Sequence, residues 1–359
     1  MPDFSGSLWA ASALVLFYCV FSVTAWRNYR GLPRLTLLEQ KGPDPDCMVV
    51  IPARNEEAVI ARAVRSLPHD TVIVVDDDSE DGTAEAARQA GAGVIKAPPL
   101  PRRGIGKANA CAAGARVLTS RWVLFTDADT RFEPGFLDAA VAAAEASGLS
   151  LLSIHLDPEY HTFAEHVLVP YAQALVFCGA NPRTQPGALF TGHCLLVLRE
   201  PYNFLGTHVA VITQLAEDVK LTALAERHRL KLAIARASGL GHRRWYAGLR
   251  GIRDGMERHA FRFMLVSPHI GVHILLAALG AALWLPLLAW LSWDGQWGAA
   301  VPIAVLPVLA LRPWYESWQR ALAAPLAIYW ILPVLARGLV SAVLGRPLVW
   351  KGRTVRAVS

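Results

Sequence analysis

Residues 8–26 carry no charge and make one apolar run long enough to cross a bilayer as a helix. Three further apolar segments, 269–293, 297–311 and 321–345, follow toward the C-terminus, and the stretch between has the mixed character of a soluble domain. The chain of 359 residues is 53% apolar and only 18% charged, against about 25% charged for a soluble domain. The deficit is confined to these runs, so the sequence predicts membrane helices flanking a folded catalytic-sized domain. A cleaved export signal opens with basic residues and closes on small ones. Here the start is Met1-Pro2-Asp3, and the run closes on Trp26, Arg27 and Tyr29. The expectation is therefore an uncleaved transmembrane anchor over 1–30, with its C-terminal end in the cytoplasm because Arg27 and Arg30 follow it.

The formal net charge is +6. No basic tract interleaved with aromatics marks a nucleic-acid surface. The arginines gather beside the apolar runs instead, which favours anionic lipid headgroups. Residues 244–265 repeat Trp245, Leu249, Ile252, Met256 and Phe263 at helical spacing, with Arg250, Asp254, Arg258 and Arg262 on another face. An amphipathic helix over 241–266, lying in the interface, is expected. A transmembrane region over 267–345 and a basic tail over 346–359 complete the reading. Three full crossings would put that tail outside, against the positive-inside rule, so the crossing number and the side of the tail stay open. The five cysteines are odd in number and lack metal-type spacing, as in a reducing compartment.

Across 43–240 short apolar runs alternate with helical patterns. Runs at 47–51, 71–75, 93–96, 122–125 and 151–155 read as strands, and 56–67, 83–90, 107–118 and 136–146 as helices. This alternation predicts an α/β domain with a mainly parallel sheet and helices on both faces. Ligands bind such sheets at the C-terminal strand ends, and the acids cluster there.

Asp127-Ala128-Asp129 follows the run at 122–125. Two carboxylates at a strand end can share one hard cation, Mg²⁺ or Mn²⁺, and with it a diphosphate; a lone Asp-x-Asp also fits a surface loop. Asp76-Asp77-Asp78-Ser79-Glu80-Asp81-Gly82-Thr83 follows the run at 71–75, where Ser79 or Asp81 can cap the next helix. Three successive acids after a buried strand repel one another unless something offsets them. Pro52-Ala53-Arg54-Asn55-Glu56 ends the first run, and Gly104-Ile105-Gly106-Lys107 is a turn that can hold phosphate with backbone N–H groups and one cation.

In this order and spacing the four motifs resemble the family 2 glycosyltransferases of GT-A fold, over roughly residues 46–245. The resemblance implies a nucleotide-sugar site at Pro52, Ala53, Glu56, Asp76, Asp77, Lys107 and Asp127, with Asp127 and Asp129 on the metal. It also implies a catalytic acid pair further on, matched by Glu217-Asp218 at a helix start, with Asp218 as general base. Membrane-bound members often carry a Gln/Arg-x-x-Arg-Trp motif. Here Gly241-His242-Arg243-Arg244-Trp245 keeps Arg-Trp and has Gly first. Arg244 is thereby implied for the diphosphate and Trp245 for the acceptor, though both residue types also favour membrane interfaces.

The layout is similar to that of ceramide and carotenoid- or hopanoid-associated glycosyltransferases. Gly192-His193 and Gly206-Thr207-His208 look like the latter group and imply acceptor contacts at His193 and His208. The expected function is an inverting glycosyltransferase at the cytoplasmic face of the cell's inner membrane. Its donor would be a nucleotide sugar, a UDP-sugar before others, and its acceptor an isoprenoid-type or ceramide-like lipid. The alternatives are a processive polysaccharide synthase, a sugar-phosphate nucleotidyltransferase, and a non-catalytic membrane protein on the same fold.

Overall fold

The computed structural model describes residues 4–38, 45–102, 104–184, 186–214, 216–344, 348–350 and 353–355. Of the segments read from sequence, residues 1–3 of the anchor, 43–44, 103, 185 and 215 of the domain, 345 of the last apolar segment, and 346–347, 351–352 and 356–359 of the tail lie outside them. The chain forms two compact units. One contains Leu32–Glu159, Pro182–Trp245 and the tail from Pro347. The other contains the N-terminus to Gly31, Tyr160–Asn181 and Tyr246–Arg346.

The first unit is built on seven strands: β1 (Cys47–Ala53), β2 (Val72–Asp76), β3 (Gly93–Lys96), β4 (Trp122–Thr126), β6 (Leu151–His155), β8 (Cys194–Leu198) and β9 (Leu232–Arg236), in the order β3-β2-β1-β4-β8-β6-β9. All neighbours are parallel except β8, which runs antiparallel to β4 and to β6. Strands β1 and β4 read as continuous apolar runs because both faces of the sheet are covered. Val49, Ile51, Val74, Leu124, Ile154 and Leu196 are fully or almost fully buried, each stabilising the fold by about 1.5–3 kcal/mol relative to an exposed position. The helix Gly106–Arg116 packs closely on the sheet at Gly114, where a Cβ would lie 2.5 Å from Val50 Cγ1. Any larger residue there would lift the helix that carries Lys107.

A second sheet of three short strands, β5 (Thr130–Phe132), β7 (Asp157–Pro158) and β10 (Gly241–Arg243), lies in the order β5-β10-β7. Its central strand pairs Arg243 with Thr130 on one side and with Pro158 on the other. It thereby returns the chain to the residue that follows Asp129. The tail residues described form a hairpin, β11 (Leu348–Trp350) with β12 (Arg353–Val355).

The second unit is helical. Four helical stretches, Ser7–Arg30, Pro268–Trp293, Trp297–Trp314 and Trp318–Val343, are long and apolar enough to cross a membrane. They expose large apolar side chains such as Trp9, Leu16, Leu276 and Trp293, the surface expected of lipid-facing helices. Several of their polar side chains hydrogen-bond within the unit. Tyr18 donates to Ala281 O at 3.0 Å, Ser22 to Ala310 O at 2.6 Å, and Trp284 Nε1 to Ile303 O at 2.9 Å. The helix Phe163–Gly179 belongs here although it interrupts the α/β sequence. Asn28 donates to Phe177 O at 2.8 Å and Tyr315 to Val167 O at 2.8 Å, tying it to helices far apart in sequence. The amphipathic segment forms the helix Gly248–Val266, with Ile252 and Met256 buried and Arg253 and Asp254 exposed.

Candidate active site

Both main acid clusters leave the sheet at C-terminal strand ends, on either side of β1. The loop after β2 is laced to the loop after β1. Asp77 N donates to Ala53 O at 2.8 Å, Asn55 N to Ser79 Oγ at 3.1 Å, Glu80 N to Asn55 Oδ1 at 2.9 Å, and Glu56 N to Thr83 Oγ1 at 2.8 Å. Asn55 and Asp78 take left-handed backbone, φ +53° and +62°, which short polar residues tolerate best. Several of the acids are spent locally. Asp76 accepts from Ser79 N at 3.2 Å, and Asp81 accepts from Thr83 N at 3.1 Å and Glu57 N at 3.2 Å. Asp78 pairs with Lys96 at 3.5 Å in solvent. Asp77 is the buried member of the row, at 8% exposure.

The loop after β4 is different. Thr126 Oγ1 and Asp127 N both donate to His193 O, at 2.9 and 3.3 Å, because the reversed strand β8 brings Gly192-His193 alongside the end of β4. Lys107, in the first turn of its helix, donates to Asp127 Oδ1 at 2.6 Å and to Gly192 O at 3.0 Å, and lies 3.9 Å from Glu217 Oε1. Arg243, at the end of β10, places Nη2 3.0 Å from Asp127 Oδ2 and Nε 3.0 Å from Asp129 Oδ1. Burial alone would raise the Asp127 carboxyl, but the charges of Lys107 and Arg243 outweigh it and hold the group well below the usual carboxylate range. Burial works against the Lys107 charge too, and is outweighed by Asp127 and Glu217, which raise the ammonium above its ordinary value.

Glu217 and Asp218 open the helix Glu217–Arg227 and are buried, at 8% and 4% exposure. The helix N-terminus favours negative charge there. Asp218 Oδ2 accepts from Gly192 N at 2.7 Å and Oδ1 from Val219 N at 2.8 Å. A Cβ on Gly192 would lie 3.3–3.4 Å from Asp218 Cβ, Glu217 Oε1 and Lys107 Nζ. One residue, Gly192, therefore joins the two halves of the site, its carbonyl on Lys107 and its N–H on Asp218, and a side chain there would crowd all three neighbours.

Beyond Asp127 lies a ring cluster. The Trp245 ring is 5.1 Å from His155 and 5.8 Å from His193. Burial, with Arg236 adding to it, pushes His155 down to about 4. Burial and Arg243 together hold His193 well below its ordinary value. Both rings are neutral at pH 7. His208 is placed differently. It is 3% exposed, shares a 2.6 Å hydrogen bond with Tyr202 and packs edge-on to Phe125, so it offers no open face to an acceptor.

The sequence-derived residues thus fall into two groups: Pro52, Ala53, Glu56, Asp76 and Asp77 on the interlaced loops, and Lys107, Asp127, Asp129, Glu217 and Asp218 on one connected network. The guanidinium of Arg243 meets both acids, and Arg244 follows the strand and is half-buried. Arg243 went unassigned by motif, and its signal was its place two residues before Trp245. The pair Asp127 Oδ2 and Asp129 Oδ1 converges on one cationic group, and such hard oxygens suit Mg²⁺ or Mn²⁺. Among the described residues no third histidine, cysteine or acid completes a cage, so phosphate and water oxygens would supply the rest of the shell.

Comparison with known proteins bears on this arrangement. Residues 48–203 match the profile of Glycosyl transferase family 2. A 4,4'-diaponeurosporenoate glycosyltransferase of Staphylococcus haemolyticus strain JCSC1435 is 28% identical over 248 residues, covering 65% of this chain and 66% of that protein. The Staphylococcus aureus strain USA300 protein of the same name is 25% identical and covers 59% of this chain and 60% of its own length. The chain thus spans about two thirds or less of the curated relatives it matches. Among solved structures, a mannosyltransferase of Pyrobaculum calidifontis in complex with GDP-Man and Mn²⁺ superposes with a TM-score of 0.58 at 20% identity, over 94% of this chain and 99% of that one.

Proposed function

We propose, from a chain whose residues 48–203 are a family 2 glycosyltransferase domain of GT-A fold, that the protein is an inverting glycosyltransferase. It moves one sugar from a nucleotide-sugar donor to a lipid at the cytoplasmic membrane face. The observation that carries this reading is the unbroken network Arg243–Asp127–Lys107–Gly192–Asp218. It joins groups suited to a departing diphosphate to a buried carboxylate suited to proton removal.

In this reading the interlaced loops after β1 and β2 receive the base and ribose, with Asp77 the buried acid facing that side. Asp127 and Asp129 would hold a Mg²⁺ or Mn²⁺ ion, which when bound offsets charge building on the diphosphate. Lys107 and Arg243 stand beside those acids and take up part of the same charge. Two N–H donors orient Asp218 through its two carboxylate oxygens. One of these accepts the proton of the attacking hydroxyl, which frees the acceptor oxygen to displace the diphosphate in line. A single base with no covalent intermediate inverts the anomeric centre. Glu217 beside Lys107 supports the charge balance. Trp245 with the neutral His193 forms an uncharged wall suited to an acceptor head group.

The apolar helices support a lipid acceptor, and the names of the relatives favour an isoprenoid of carotenoid type over a ceramide-like lipid. UDP is the first nucleotide to test and GDP the second. The test is a panel of radiolabelled nucleotide sugars given to the full-length chain in detergent, with isoprenoid acids, isoprenoid alcohols and ceramide as acceptors. The expected product is a monoglycosylated lipid of inverted anomeric configuration, read by NMR. A long polymer would mean a processive synthase, and no donor consumption with any sugar would mean a non-catalytic protein.

A further inference from the structure

We propose that Arg243 is the resident cation of the Asp127–Asp129 pair and gates metal entry, so that a divalent ion binds well only together with a nucleoside diphosphate. The inference deepens the transferase reading above and rests on it. Its basis is that two nitrogens of one planar guanidinium lie 3.0 Å from oxygens of two different carboxylates, Asp127 Oδ2 and Asp129 Oδ1. Both carboxylates that would hold the metal are thus engaged by this one cation. The other oxygen of Asp127 is taken by Lys107 at 2.6 Å.

Charge decides the consequence. Asp127 and Asp129 bring two negative charges, and Lys107 and Arg243 bring two positive ones. The quartet is neutral before any metal arrives, and Glu217, 3.9 Å from Lys107, offsets only one of the two charges that a lone divalent ion would add. All four side chains are at most about a third exposed, so solvent screens added charge poorly. A divalent ion arriving alone must displace the guanidinium from both oxygens, leaving an excess of positive charge and an arginine with lost partners. An ion arriving with a diphosphate is nearly neutral as a pair. It also offers the displaced guanidinium phosphate oxygens, which arginine binds well through its paired donors. The backbone of Arg243 cannot drift away during this exchange, because β10 is held between β5 and β7. Only the side chain turns.

The test measures Mn²⁺ binding to the full-length chain in detergent by the electron paramagnetic resonance of free Mn²⁺, with no nucleotide, with UDP and with GDP. The same titrations without protein correct for chelation by the nucleotide. In the wild type, UDP or GDP should tighten Mn²⁺ binding about tenfold or more, and Mn²⁺ should tighten that nucleotide by the same factor, since coupling is reciprocal. Arg243→Ala should bind Mn²⁺ without nucleotide about tenfold more tightly than the wild type and show less coupling. Arg243→Lys, a point charge that cannot span both acids, should fall between. Wild-type Mn²⁺ affinity that neither nucleotide raises would overturn the gate, and this arm needs no variant to fold. Unchanged or weaker nucleotide-free Mn²⁺ binding in a folded Arg243→Ala would overturn it too. A wild type that binds either nucleotide but no Mn²⁺ in any state would instead sink the metal reading of Asp127 and Asp129, and the gate with it.

Discussion

Two acid-rich loops leave the sheet on either side of β1, and they settle their charges by opposite means. After β2, Asp76 and Asp81 turn back on backbone N–H groups within a few residues or on the adjoining loop. After β4, Asp127 and Asp129 are met by Lys107 and Arg243, side chains brought from 20 and 114 residues away. The first arrangement makes a rigid cradle whose charges are largely consumed in holding its shape. The second pairs its acids, among the described residues, with long, movable cations. Those pairs can exchange for a ligand without loss of the local backbone, which is what a site handling a charged leaving group requires.

The contrast breaks most visibly at Asp129. Asp129→Ala should reduce transfer to background while thermal unfolding stays near that of the wild type, since among the described residues its carboxylate is held by Arg243 alone. Excess chelator should abolish transfer as well, and full activity in chelator would exclude a metal role for the pair. Asp218→Asn comes next. It keeps size and can still accept from Gly192 N–H, but it cannot take a proton. Turnover on a hydroxyl acceptor should fall by about a hundred- to ten-thousand-fold with donor affinity nearly unchanged. Glu217→Gln should be milder. Near-normal turnover in Asp218→Asn would move the base to Glu217. A carboxylate acceptor hardly needs a base, so a small effect confined to such acceptors reports on the acceptor instead.

The difference between the loops also explains what could be read from sequence. The strands ending at Asp76 and Thr126 and their acids were legible because apolar runs and the acids that close them are local signals. The partners of Asp127 and Asp129 were only half legible. Lys107 was marked by its glycine turn, but Arg243 reaches the acids through a three-residue strand too short to show any period. The reversed strand β8 was hidden for another reason: a buried apolar run carries no mark of direction. The helix Phe163–Gly179 interrupts the α/β pattern and joins the helical unit. Its apolar residues run all round rather than along one stripe, and that was the available sign.

A pH titration sharpens the comparison, because the second site is backed by His155, His193 and His208, all held neutral by burial. Their folded pKa values lie below the unfolded value of about 6.5, with His155 at about 4. The unfolded chain therefore binds more protons in that window. Their contribution to stability is complete above about pH 6.5 and is lost as pH falls toward 4, on the order of 1 kcal/mol per pH unit for each histidine. Asp127, also depressed, loses its contribution only at lower pH. Melting temperature should drop between about pH 7 and 5, and His155→Gln should flatten that slope. A flat profile in the wild type would mean that these rings are solvated in solution.

The smallest effect is expected at Asp81, and it tests the other half of the contrast. Asp81 accepts from Thr83 N, from the Thr83 hydroxyl and from Glu57 N. The N-cap of the helix Thr83–Gln89 is Gly82, so Asp81 does not cap it as the sequence suggested; it holds the turn before the helix and stitches it to the loop after β1. Removing a side chain that accepts such hydrogen bonds costs about 1 kcal/mol, and solvent at this surface position keeps the figure at the low end. Asp81→Ala should therefore lower the melting temperature by only a few degrees and leave turnover at saturating donor within about twofold. Asp77→Asn, in the same loop but at its buried end, should do the reverse, weakening donor binding with little change in melting. If Asp81→Ala instead cut turnover as severely as Asp218→Asn, the loop after β2 would be taking part in the chemistry, and the division between cradle and exchangeable site would not hold.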